Sequence, residues 1–122
     1  MEEVAMEKSV SKSDATYNRM EFPMKSLGNF PIPAGQNYFN FVAMDTLGRR
    51  WGFKVSIRNV GRHKKPWMSG QWRRYVQEKG LKKGDRVKLI MHEEGNAVRS
   101  YRIRAERNLT MRIWIPVEEF AI

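Results

Sequence analysis

The stretch Gly52-Phe53-Lys54-Val55-Ser56-Ile57-Arg58 alternates apolar and polar residues without a break. A period of two is satisfied by an extended strand with Phe53, Val55 and Ile57 on one buried face. Just ahead of it, Tyr38 to Ala43 is an aromatic and β-branched run, and Asp45-Thr46-Leu47-Gly48 between them has the chemistry of a turn, so the pair is expected to form a β-hairpin. The pattern recurs at Arg86 to Met91 and at Val98 to Ala105, with Gly95-Asn96 at the turn. There Tyr101 and Ile103 share one face, while Arg102 and Arg104 share the other and are left for water or a partner. A last run, Met111 to Val117, adds a strand, and its Pro116 suits an edge or a strand end.

One helix interrupts the strands. Trp72, Tyr75 and Val76 recur at i, i+3 and i+4, Ser69 is a candidate N-cap, and Gly80 is placed for a left-handed C-terminal cap. Arg73, Arg74 and Gln77 fall on the opposite, solvent side. The segment MKSLGNFPIPAGQ, residues 24 to 36, is rich in Gly and Pro and is expected to be a loop with one short helical turn. Many short strands with one or two helices predict a small, mostly β barrel or sandwich. With 122 residues the chain has the size of one domain, placed here at residues 6–117 between tails 1–5 and 118–122.

Charge narrows the class of partner. Residues 49 to 88 hold fourteen Lys or Arg against two acids, Glu78 and Asp85, whereas the rest of the chain is slightly acidic and the total is +10. Basicity confined to one region builds a potential that attracts a polyanion, and duplex DNA is the densest common one. There is no cysteine, which excludes disulfides and thiolate metal sites, and two histidines are too few for a recognisable metal centre. The N-terminus lacks an apolar leader and no stretch approaches a membrane span, so a soluble, unsecreted protein is expected. Catalysis finds little support: Glu93 and Glu94 lie at a hairpin turn, and no nucleophile elbow or phosphate-cradling glycine pattern is present. No enzyme activity, metal or cofactor is expected.

The cationic stretch after the second strand is the better candidate site. Arg58, Arg62, His63, Lys64 and Lys65 are expected on a flexible loop, with Gly61 letting it bend and Pro66 ending it in an extended conformation. Arginine can fork to guanine O6 and N7, which makes Arg58 and Arg62 candidate base readers, while Lys64 and Lys65 suit phosphates. Trp67 is placed either to stack on a base or to pack in the core, and Trp72 is assigned to the core. Near the N-terminus, residues 11 to 19 form a polar loop whose hydroxyls, amide and cations can reach phosphates or base edges.

Taken together, SKSDATYNRMEFP at 11–23, DTLGRRWGF at 45–53 and PWMSGQWRRYVQEKGLKKGDRVKL at 66–89 resemble the plant-specific B3 DNA-binding domain. The last is the most specific, with a Trp opening a helix, then Tyr75-Val76, Leu81, and Gly84-Asp85 leading into a hydrophobic strand. The resemblance implies a seven-stranded open β-barrel with short helices, and two loops gripping the DNA major groove like the jaws of a wrench. One jaw maps onto Lys12, Ser13, Asp14, Thr16, Tyr17, Asn18 and Arg19, and the other onto Arg58, Asn59, Arg62, His63, Lys64, Lys65 and Trp67. The chain departs from the family pattern in the Gly- and Pro-rich segment around LGNFPIPAG, where many members carry a charged helix. It departs again at Gln71, commonly Gly, and at Pro66-Trp67.

The expected function is sequence-selective binding of double-stranded DNA in the nucleus, in transcription regulation. Two alternatives stay open at this point: a single-stranded DNA or RNA binder that uses Trp67 as a stacking platform, and a protein-interaction module that docks an acidic partner on the Arg102 and Arg104 face.

Overall fold

The computed structural model describes residues 2–60, 63–95, 98–110 and 112–120, and for residues 59, 60, 63 and 64 it describes the backbone. Its strands, in chain order, are β1 (Glu2–Ser9), β2 (Met20–Glu21), β3 (Tyr38–Met44), β4 (Arg50–Val60), β5 (His63–Gly70), β6 (Arg86–Glu93), β7 (Arg99–Thr110) and β8 (Ile113–Pro116). Two α-helices, α1 (Lys12–Thr16) and α2 (Trp72–Lys79), and 310 turns at Met24–Asn29 and Val117–Phe120 complete it. Seven strands run in the order β1-β6-β7-β3-β4-β5-β2, and β8 joins the far end of β7. The sheet curls into a half-barrel, the architecture expected from the resemblance.

Alternation decides the hairpins as expected. In β3–β4 the pair Phe41↔Phe53 faces inward, and in β6–β7 Val87↔Ala105, Leu89↔Ile103 and Met91↔Tyr101 are all buried. Arg102 and Arg104 point outward, where Arg102 pairs with Glu2 and Arg104 with Glu106. The curl closes through a parallel pairing of β3 with β7 at Ala43↔Tyr101 and Met44↔Arg102. A bulge between Val4 and Met6 in β1 turns the successive residues Ala5 and Met6 both into the core. Pro116 ends β8, as a residue without an N–H should.

Residues near both ends of the described chain pack into the fold. Glu2 to Val4 already pair with β6, and Glu118 places its carboxylate 2.7 Å from the Lys79 ammonium. That ammonium also lies 2.8 Å from Asp45, which accepts the Trp51 indole N–H at 2.9 Å and the main-chain N–H groups of Leu47 and Arg49. Burial by itself raises a carboxyl pKa. Here the hydrogen bonds from Lys79, Trp51 and the Arg49 main chain outweigh it and bring Asp45 down from 3.8 to about 2.

One expectation about α2 needs correcting. Ser69 does not cap α2: it lies in β5 opposite Lys54, and the cap position is Gln71. Gln71 makes no side-chain cap bond because its Oε1 accepts the Gly52 N–H at 2.7 Å, while its own N–H donates to the Gly52 carbonyl at 2.8 Å. The Gln71 side chain thus extends the β4–β5 ladder by one link. Gly80 does end the helix, at φ 63°, with the Leu81 N–H reaching back to the Val76 carbonyl at 3.0 Å.

The Gly- and Pro-rich segment holds the expected single helical turn, Met24–Asn29. It delivers Phe30 into an aromatic cluster, 5.4 Å from Tyr101, 5.3 Å from Phe41 and 5.2 Å from Phe22 between ring centroids.

Candidate nucleic-acid interface

Within the polar stretch 11–19, expected to be a loop, Lys12–Thr16 form a helix capped by Ser11. The Ser11 hydroxyl accepts the Asp14 N–H at 3.1 Å, and an Asp14 carboxylate oxygen accepts the Ser11 N–H at 3.0 Å. This is a reciprocal capping box, which offsets the weakness of a five-residue helix. The other carboxylate oxygen accepts the Glu21 N–H at 3.0 Å, and the Lys8 ammonium lies 2.7 Å from the oxygen that Ser11 engages. Asp14 is therefore buried and fully occupied, and it holds this segment in shape.

The last turn of α1 is held from across the molecule. The Trp72 indole N–H donates to the Asp14 carbonyl at 2.9 Å, and the Arg73 guanidinium donates to the Ala15 carbonyl at 2.9 Å. Carbonyls that α1 cannot satisfy internally thus find donors on α2. Arg73, expected among solvated residues, is half-buried against α1 for this reason. Tyr17, Asn18 and Arg19 are exposed where the chain leaves the helix.

The cationic stretch is also ordered differently from expectation. β4 and β5 pair as far as Val60↔His63, so Arg58, Asn59, His63, Lys64 and Lys65 extend a two-stranded ribbon. Apolar periodicity stops at Ile57 because the ribbon leaves the core there, which makes it look like a loop in the sequence. Pro66 is tolerated opposite Ile57 because the main-chain groups of this pair point away from each other, so no Pro66 N–H is needed: the Ile57 N–H donates to the Asn37 carbonyl at 2.8 Å, and the Pro66 carbonyl accepts the Phe22 N–H at 3.1 Å. Arg62 and Gly61 lie outside the described residues. For Asn59, His63 and Lys64 the backbone register places Asn59 opposite Lys64 and His63 opposite Val60.

These two segments meet in one groove of about 720 Å³. Its walls include Ser13, Tyr17, Asn18 and Arg19 from the α1 side, and Arg58, Lys65 and Trp67 from the ribbon. The Asp14, Glu21 and Pro66 positions complete it, whereas Lys12 and Thr16 are exposed but do not line it. The Thr16 hydroxyl donates to the Lys12 carbonyl at 2.7 Å. Arg19 lays its guanidinium over the Trp67 ring, 5.3 Å from the centroid, so the half-buried indole serves as a rest for a cation.

Several bases elsewhere are neutralised: Arg86 by Glu106 and Glu7, Lys88 by Glu7 and Glu106, Arg107 by Asp85, and Lys79 by Asp45 and Glu118. Arg58 and Lys65 face each other directly across the ribbon, and among the described residues neither makes an ion pair. Like charges placed opposite one another destabilise a ladder, so the pair is a structural liability unless an anion comes between or beside them. No group of three His, Cys, Asp or Glu among the described residues is placed to hold a metal ion, and no described helix is long and apolar enough to cross a membrane.

Sequence reasoning missed Glu21 and Pro66 as parts of this groove. Glu21 was detectable only through the alternation of Met20 and Phe22, which are buried on either side of it.

Searches against protein-family models and curated proteins found no match. Among solved structures, the fold is similar to that of an Arabidopsis FUS3–DNA complex, with 20% identity and a TM-score of 0.72 over 88% of this chain and 100% of that one. It is similar to the Arabidopsis thaliana transcription factor LEC2 in complex with DNA, at 17% identity and a TM-score of 0.69, covering 84% of this chain and 94% of that one. It also resembles a hypothetical Arabidopsis thaliana protein, at 18% identity and a TM-score of 0.60, covering 90% and 95%. The chain thus has the B3 fold that its sequence motifs led us to expect.

Proposed function

We propose that this chain is a nuclear, sequence-selective double-stranded DNA-binding domain acting in transcription regulation, and that it grips the major groove between the α1–β2 segment and the β4–β5 ribbon. The observation that carries the reading is the unpaired Arg58–Lys65 pair at a groove shared with Tyr17, Asn18 and Arg19. A two-stranded ribbon fits the width of the major groove, about 12 Å. Two neighbours in fold, FUS3 and the transcription factor LEC2, were solved with DNA.

Within this reading Arg58 and Arg62 contact base edges, Lys64 and Lys65 contact phosphates, and Asn59 and His63 belong to the same ribbon. Lys12, Ser13, Thr16, Tyr17, Asn18 and Arg19 supply phosphate and edge contacts on the other side. Asp14 and Trp67 act by position: Asp14 braces α1, and Trp67 supports the Arg19 guanidinium. Because that guanidinium already covers the indole, a single-stranded mode built on Trp67 stacking has less support.

Selection of bound sequences from a random duplex pool, followed by competition with the matching single strands, tests the reading. A defined duplex motif that single strands fail to displace is expected. Enrichment of no motif, or preference for single strands, would overturn it.

A further inference from the structure

We propose that Glu21 selects a cytosine in the bound duplex, by accepting a hydrogen bond from the exocyclic N4 amino group in the major groove. The inference rests on the duplex-binding function proposed above and adds a specificity residue to it.

Position comes first. Met20 and Phe22 are buried, so alternation turns the Glu21 side chain outward, onto the face it shares with its cross-strand partner Trp67. The backbone there cannot drift. The Glu21 N–H donates to Asp14 at 3.0 Å, its carbonyl accepts the Lys8 ammonium at 2.6 Å, and the next N–H, of Phe22, donates to the Pro66 carbonyl at 3.1 Å. Glu21 is thus tied to both walls of the groove at once, on a strand rather than on a loop.

Chemistry comes second. Two acids line the groove, and they differ in kind. Asp14 is buried and spends its oxygens on Ser11, Glu21 and Lys8. Glu21 is exposed, and among the described residues its carboxylate makes no ion pair or hydrogen bond, although Arg19, Arg58 and Lys65 line the same groove. A carboxylate on the wall of a polyanion site, without a partner among the described residues, repels any phosphate that approaches it. It is compatible with binding where it meets a donor, and the major-groove edge offers one to a carboxylate alone at cytosine N4. At adenine the N6 donor sits beside the N7 acceptor, which suits an amide and not a carboxylate.

Side-chain exchange reads this directly. Binding sites are selected from a random duplex pool with the wild-type chain, Glu21→Gln and Glu21→Ala, and thermal midpoints confirm that each variant is folded. The wild type is expected to require cytosine at one position. Glu21→Gln should exchange that preference for adenine, with about a tenfold or greater change in the cytosine-to-adenine ratio, and leave other positions alone. Glu21→Ala should relax the same position to near-equal use of all bases. A wild-type motif that both variants reproduce at every position would overturn the assignment of Glu21 while leaving duplex binding intact. A wild type that enriches no duplex would overturn the underlying function and this inference together.

Discussion

The indole N–H of Trp72 donates to the main-chain oxygen of Asp14 at 2.9 Å, bridging two helices whose residues lie 58 positions apart. Trp72 is fully buried, and on α2 it packs against Tyr75, which in turn meets Trp51 edge-on at 5.2 Å between centroids. The aromatic helix therefore steadies the N-terminal side of the groove. The ribbon on the other side is held instead by its own ladder and by the Gln71–Gly52 link.

Replacing Trp72 with Phe keeps a ring in the core but orphans the Asp14 carbonyl. A buried acceptor left without a donor costs about 1–3 kcal/mol, so urea denaturation should show at least that loss. Duplex affinity should fall more than the loss of any surface contact explains, because α1 is freed. An unchanged urea midpoint would show that the bond contributes nothing.

Arg58→Ala and Lys65→Ala should separate reading from charge. Loss of a bidentate base contact costs about 1–3 kcal/mol on the preferred site and little on other sequences. Loss of a phosphate contact weakens all duplexes alike and lowers the slope of log affinity against log salt by about one. Fluorescence anisotropy over a salt series distinguishes the two. Because the two cations face each other, removing either one should also raise the stability of the free protein slightly.

Gly70 and Gly48 make a matched pair. Both have positive φ, 77° and 82°, but a Cβ on Gly70 would lie 2.7 Å from the Gly52 carbonyl oxygen and 3.0 Å from the Phe53 Cα, whereas at Gly48 it meets nothing. Gly48→Ala should lose only the left-handed penalty, about 1–2 kcal/mol. Gly70→Ala should lose clearly more, and equal thermal midpoints would rule out the close approach as the cause.

Acid should weaken the fold through Asp45. A carboxyl held at about 2 against an ordinary 3.8 contributes stability that is complete above pH 4 and is lost as pH falls toward 2. The amount is about 2 kcal/mol. Lys79, whose pKa is raised because the carboxylates of Asp45 and Glu118 outweigh its burial, has the opposite sign, and its contribution is lost only when pH rises beyond the ordinary lysine range. Urea midpoints of wild type and Asp45→Asn between pH 6 and 2 test this. The wild-type curve should fall more steeply below pH 4, and parallel curves would overturn the assignment.

Much of the fold was legible in local pattern. Alternation at Phe53 and Val55, at Val87, Leu89 and Met91, and at Tyr101 and Ile103 gave the strands and their buried faces, whereas Ile57 is only half-buried. Gly80 marked the end of α2. Ser11-Lys12-Ser13-Asp14 has the spacing of a capping box yet reads as a loop, because its five-residue helix has no apolar stripe of its own and depends on Trp72 and Arg73. Ser69 failed as a cap because β5 continues through it, and whether a strand continues depends on the partner strand.

The candidate site divides in the same way. Alternation, turn chemistry and the regional excess of Lys and Arg are properties of neighbours along the chain, so the sequence by itself determined the hairpins, their inner faces and the concentration of positive charge in residues 49 to 88. Which cations stay unpaired was decided only by the tertiary structure. That depends on which carboxylates fold within reach: Glu106 reaches Arg86 and Asp85 reaches Arg107, while Arg58 is left facing Lys65. Coulomb attraction acts through space, and the distances that govern it exist only once the sheet has curled.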